Sequence, residues 1–172
     1  FLLGTTSART SVGAIGDPYF QLEGLSSDSG GMSIIRNSDS AAGPYLVFGK
    51  TRGTSDGSNT IVQANDTIGS ILFAPADGND VNQVCASISA MINGTPGSND
   101  VPGALTFRTT ADGGTSPTER LRIDSSGRVL IGGTSNSASS HADELQIINT
   151  SAEGGISIIN GDSSMGHIYF GD

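Results

Sequence analysis

Three stretches near the start of the chain recur, in the same order, near its end. Leu3-Gly4-Thr5-Thr6-Ser7 matches Ile131-Gly132-Gly133-Thr134-Ser135, and Gly30-Gly31-Met32-Ser33-Ile34-Ile35 matches Gly154-Gly155-Ile156-Ser157-Ile158-Ile159. Tyr45-Leu46-Val47-Phe48-Gly49 matches His167-Ile168-Tyr169-Phe170-Gly171. A shorter echo links Gly69-Ser70-Ile71-Leu72-Phe73 to Gly103-Ala104-Leu105-Thr106-Phe107, each followed by Ala-Asp-Gly at 76–78 and 111–113. Ordered repetition restricts a fold strongly, because each unit has to bury its apolar residues against neighbours of its own kind. It divides the chain into 1–53, a partial earlier copy; 54–127, a central module; and 128–172, which re-runs the first. Repeated units growing along one axis make a fibre, whereas an enzyme breaks repetition where its site lies.

The units read as strands. Apolar residues come in clusters of three to five: Phe1-Leu2-Leu3, Tyr19 to Leu22, Met32 to Ile35, Tyr45 to Phe48, Ile68 to Phe73, Leu145 to Ile148, Ile156 to Ile159 and Ile168 to Phe170. Gly/Ser/Asn/Asp turns separate them, and Pro18 and Pro44 precede two of them, where a missing N–H does least harm. Residues 118–132 form the clearest hairpin. Leu121 and Ile123 alternate with Arg120, Arg122 and Asp124, then Asp124-Ser125-Ser126-Gly127 supplies a turn, and Val129 and Ile131 resume. Residues 80–92 fit two periods. Val81, Val84, Cys85, Ile88, Met91 and Ile92 form a helical stripe, while Val84, Ala86, Ile88, Ala90 and Ile92 alternate as a strand. The Gly94-Thr95-Pro96-Gly97 turn and the β-rich surroundings favour the strand.

Composition then bears on how such strands are buried. Only 35% of the 172 residues are hydrophobic and 15% charged, with no Trp. Glycine, at 25 residues, is about twice its usual share. Little apolar material spread over many short strands makes a poor closed core for one chain, and a symmetric oligomer solves this by burying strands against neighbouring copies. The net charge of −9 argues against nucleic acid and anionic membrane surfaces as partners. No apolar run reaches the length of a membrane span, and no signal segment opens the chain. Phe1 falls inside one strand-like run and Asp172 just after another, so the chain is expected to be a fragment of something longer. Cys85 is the single cysteine, so no disulfide framework or cysteine metal site forms within one chain.

At Thr118-Glu119-Arg120-Leu121-Arg122-Ile123-Asp124-Ser125-Ser126-Gly127-Arg128-Val129-Leu130-Ile131-Gly132 the sequence resembles tail-fibre proteins of tailed phages, those of marine cyanophages especially. In them a segment P-T-E-R-M-R-I-D-S-S-G-x-V-G-I-G-T recurs along the shaft. Here Leu121 replaces the usual Met, Leu130 the usual Gly and Gly133 the usual Thr. Gly69 to Phe73, Ala76-Asp77-Gly78, Ala86 to Ala90, Gly94 to Gly97 and Pro102 to Phe107 extend the likeness, so that residues 66–134 are covered closely. The resemblance implies an all-β, elongated repeat of short hairpins, an intertwined homotrimeric fibre of β-prism or triple β-helix type. It implies location in the virion's tail fibre, adhesion to a glycan or outer-membrane receptor on the bacterial host, and other tail proteins as partners. Many such fibres end in a self-cleaving chaperone; nothing in residues 134–172 resembles it, and its activity is not transferred.

The residues offer little chemistry, and the expectation is no enzyme: no catalytic, cofactor-binding or metal residue, and no receptor contact that can be assigned. His141 and His167 are the only histidines, and no Gly-x-Ser-x-Gly elbow accompanies them. Asp112 with Glu119, or Glu144 with Glu153, are the carboxylate pairs that glycosidic cleavage would need, but all lie in or beside turns. Asp77, Asn79, Asp80 and Asn82 gather oxygen ligands without the spacing of a calcium loop; a solvated turn is the expected reading, though a trimer axis could collect carboxylates around an ion. Arg120 and Arg122 are expected to form ion pairs across strands or chains. Tyr19, Tyr45 and Tyr169 could stack on sugars, but their apolar surroundings favour core packing. Adhesive fibre segment is the leading reading; a β-helical tailspike depolymerase acting on surface polysaccharide is the rival, and an autotransporter-type adhesin is a third.

Overall fold

A computed structural model of the chain describes residues 2–138 and 144–148. The described residues are all-β, without a helix: eight strands in two sheets, one of two strands and one of six. The large sheet runs in chain order through β3 (Thr67–Phe73), β4 (Ala86–Ile92), β5 (Gly103–Thr109), β6 (Thr118–Ile123), β7 (Val129–Ile131) and β8 (Leu145–Ile147). Neighbours from β3 to β7 are antiparallel; β8 adds parallel to β7. The small sheet pairs β1 (Leu2–Leu3) with β2 (Gln21–Leu22), also in parallel.

Residues 86–92 are a strand, and 80–85 form the irregular approach to it. β4 could not have been a helix without orphaning both neighbours, since its seven residues pair with β3 on one side and β5 on the other. The 118–132 hairpin forms as its pattern dictates, with Leu121 opposite Ile131 and Ile123 opposite Val129. Its turn is closed by Gly127 N–H on the Asp124 carbonyl, and Gly127 adopts φ 82°. Met32 to Ile35 and Tyr45 to Phe48 do not form strands, and no described residue pairs with them. Ile156 to Ile159 and Ile168 to Phe170 lie outside the described residues.

The first of the three sequence matches reappears as geometry. Leu3 pairs with Leu22, and Ile131 with Ile147. One residue beyond, Glu23 N–H donates to the Leu3 carbonyl and Ile148 N–H to that of Ile131. Gln21 Oε1 accepts from Arg9 N–H, and Gln146 Oε1 from Ser137 N–H. In both places the strand ends at a glycine of positive φ, Gly4 at 76° and Gly132 at 82°. An added Cβ there would strike the carbonyl oxygen of Glu23 or Ile148. The counterparts of the other two matches lie outside the described residues.

Two β-bulges decide which side chains share a face. One falls between Thr67 and Gly69 on β3, the other opposite Phe107 and Arg108 on β6. With the bulges counted, one row across all six strands reads Ile71, Ile88, Phe107, Leu121, Ile131, Ile147. The next row on that side reads Gly69, Ala90, Leu105, Ile123, Val129, Leu145. On the opposite side the row between them is Ser70, Ser89, Thr106, Arg122, Leu130, Gln146. A period of two along each strand and a fixed register produce this separation.

Gly127 and Gly132 share the same φ, but open space surrounds Gly127. Gly127→Ala is expected to cost about 1–2 kcal/mol, the backbone penalty alone. Gly132→Ala adds the collision with the Ile148 carbonyl and should lower the urea midpoint clearly more. Equal losses in the two variants would show that β8 does not dock on β7 as described.

Candidate interaction surface

Burial in this sheet runs opposite to polarity. On the polar side Thr106 is fully buried, and Ser89, Arg122 and Gln146 are nearly so, with Leu130 fully covered among them. On the apolar side Ile71, Phe73, Leu105, Phe107, Ile123, Ile131, Leu145 and Ile147 are each 36 to 61% exposed. The apolar patch crosses the full width of the sheet, whereas soluble monomers rarely expose contiguous apolar areas beyond a few hundred Å².

The polar side is closed by its own side chains. Arg122 and Glu119 form a bidentate pair, Nε to Oε1 at 2.5 Å and an Nη to Oε2 at 3.0 Å. Both side chains are about 10% exposed. The bulge on β6 brings them together: strict alternation would place Glu119 with Leu121, and the extra residue turns it to the side of Arg122. Arg108 of β5 approaches the same carboxylate at 3.8 Å. Ser70 and Ser89 share a hydroxyl hydrogen bond of 2.9 Å, and Thr106 Oγ1 donates to the Ser89 carbonyl. At the sheet's end Gln146 is held by Ser137 and Asn136. Asp124 completes this side: its Oδ1 accepts the amides of Ser126 and Arg128, and its Oδ2 accepts Arg128 Nε at 2.8 Å.

Among the described residues, the apolar side is covered at one corner. Phe48 lies against Gly69, where an added Cβ would stand 2.5 Å from the Phe48 Cβ, so glycine is required there. A groove of about 560 Å³ opens beside the β4–β5 hairpin end, lined among others by Val62, Ile68, Val101, Leu105 and Ile123. It is continuous with the apolar rows through Leu105 and Ile123.

The residues weighed for chemistry are scattered or already engaged. Asp112 is exposed on a turn, while Glu119 is committed to Arg122, so they form no acid–base pair. Glu144 is exposed beside β8; Glu153, His141, His167 and Tyr169 lie outside the described residues. Asp77 Oδ1 accepts the amides of Asn79 and Asp80, Asp80 Oδ1 accepts that of Asn82, and Asn82 Oδ1 accepts Ala14 N–H. These oxygens brace the turn and dock the 11–16 loop, and no group of three metal-ligating side chains occurs among the described residues. Of the two arginines singled out, Arg122 pairs with an acid, and Arg120 bonds the Thr109 hydroxyl. Core packing of the tyrosines is not observed where they can be seen: Tyr19 and Tyr45 are 95% and 74% exposed. The bulges carried no sequence signal beyond a break in alternation at Ile68 and Arg120.

No family model matches the chain, and no curated protein sequence matches it.

Several carboxylates are held below their ordinary values. For Asp66 the causes are the Arg52 guanidinium and then the Gln63 amide. For Asp77 they are the amides of Asp80 and Asn79. Burial pushes Asp124 up, but the bonds from Arg128 and Ser126 outweigh it and leave it lowered. A carboxyl lowered on folding stabilises fully above its unfolded value and loses that contribution as pH falls through the lowered one. Urea midpoints should therefore be flat above pH 5 and fall progressively below the ordinary value of 3.8. Glu119→Gln should cost about 1.5–3 kcal/mol by breaking a charged hydrogen-bond pair, and Asp112→Asn within about 0.5 kcal/mol of nothing. A neutral Glu119→Gln would show the polar side is not held as described.

Proposed function

We propose that this chain is a structural and adhesive segment of a homotrimeric phage tail fibre, carried on the virion and attaching it to the bacterial host surface. The observation that carries the reading is the six-strand apolar row, Ile71 to Ile147, left open on a sheet whose other side is sealed. A sheet of this kind is half of an interface: its apolar side requires a second surface of similar width, and copies of the same chain supply one at no cost in sequence. Three such sheets facing one axis bury the apolar rows and leave the polar turns between strands in water. The resemblance of residues 66–134 to tail-fibre shafts supports three as the number, and the virion's other tail proteins and a host glycan or outer-membrane receptor as the remaining partners.

The chain acts through shape and multiplicity. Three copies at one tip raise the effective concentration of weak contacts with a repetitive glycan. The net charge of −9 disfavours phosphate-rich polysaccharide unless divalent cations bridge the two. Reaction chemistry has no place in this reading. The antiparallel order from β3 to β7 supports a shaft over the parallel rungs of a tailspike depolymerase, and Glu119 is spent on an ion pair.

Sedimentation equilibrium should give about three times the chain mass of 17.4 kDa. Phe107→Asp, placing a charge at the centre of the apolar row, should reduce the assembly to monomers while leaving Arg122 and Glu119 undisturbed. A stable folded monomer of the parent chain would sink the trimer. Steady release of reducing ends from bacterial surface polysaccharide would favour the depolymerase instead.

A further inference from the structure

Residues 31–49 have the composition of strands and none of their bonds. Among the described residues, no backbone-to-backbone hydrogen bond involves this segment, and neither sheet includes it. Its apolar side chains stand in water: Met32, Ile34 and Ile35 are 66, 46 and 78% exposed, and the run from Tyr45 to Phe48 is 48 to 80% exposed. An apolar segment with unpaired amides is the form that templates pairing with another chain. Native chains guard such segments with charge or proline. Here Arg36 and Asp39 lie between the two apolar runs, and Pro44 precedes the second, so neither run contains a guard residue.

We infer that residues 31–49 are an inter-chain strand segment, whose main chain hydrogen-bonds to a second copy of this protein in the assembled fibre. The inference rests on the trimeric reading and specifies which part of the chain crosses between copies. Two observations select a second copy as the occupant. The first is area: seven large apolar side chains, each exposing on the order of 100 Å², offer about 700 Å², close to the roughly 800 Å² per partner of a stable interface. The second is continuity. Phe48 is seated on Gly69, which joins the segment to the open apolar side of the sheet. Whatever covers that side also meets residues 45–48.

The test is hydrogen–deuterium exchange on the full chain, with native mass measured on the same sample. The expected result is an oligomer in which amides 32–35 and 45–48 exchange at least about tenfold more slowly than unstructured peptide amides. That protection should disappear when dilution separates the chains. An oligomer with these amides unprotected would overturn the inference and leave the fibre reading standing. Protection that survives separation would place the pairing within one chain and also overturn it. A folded monomer at the start would remove both.

Discussion

The structure depends on which side of one sheet is satisfied within the chain. Hydrophobic burial contributes about 25 cal/mol for each Å² taken from water, and a single chain ordinarily collects it by turning apolar rows inward. Here the polar row from Ser70 to Gln146 is the buried one, held by hydrogen bonds and by the Arg122–Glu119 pair. The apolar row from Ile71 to Ile147 stays half in water. Polar interactions of this kind contribute modestly in net terms, while the exposed apolar row leaves much of its own burial unrealised among the described residues.

The two bulges make this arrangement possible. Without the one on β6, Glu119 would stand beside Leu121 on the apolar side and leave Arg122 with no carboxylate. Without the one on β3, Ile68 rather than Thr67 would stand opposite Met91, on the side of Ser70 and Ser89. Each bulge spends one residue of regular pairing to keep charge and apolar surface apart. The parallel pairs β1–β2 and β7–β8 have a similar economy. A positive-φ glycine lets the chain turn beneath the carbonyl of the incoming strand, and a glutamine from that strand ties down the connecting loop. The same solution at Gly4 and Gly132 gives the sequence match between residues 3–7 and 131–135 a physical cause.

Much of the sheet was readable in the residues. The hairpin at 118–132, the strand character of 86–92 and the turns at Gly78, Gly113 and Gly127 follow from period-two patterning and from glycine's access to positive φ. What could not be read was burial. Alternation says that Ile71 and Ile88 share a side, but says nothing of which side faces water. The tyrosines show the same limit. Tyr19 and Tyr45 sit in apolar clusters, which suggests a core, yet in one chain they are exposed. The metal and carboxylate candidates resolved differently: Asp77, Asp80 and Asn82 are spent on backbone amides, as short polar side chains in turns usually are.

The segments that looked like strands and did not become strands belong with the same argument. Met32 to Ile35 and Tyr45 to Phe48 have the side chains of strands, and β-propensity describes fit to a pleated, half-buried surface rather than a property of the backbone alone. Removed from that surface, the residues have nothing to fit. The sheet has the complementary property, an apolar side without a cover. The contact of Phe48 with Gly69 joins the second of these runs to the exposed apolar side of the sheet.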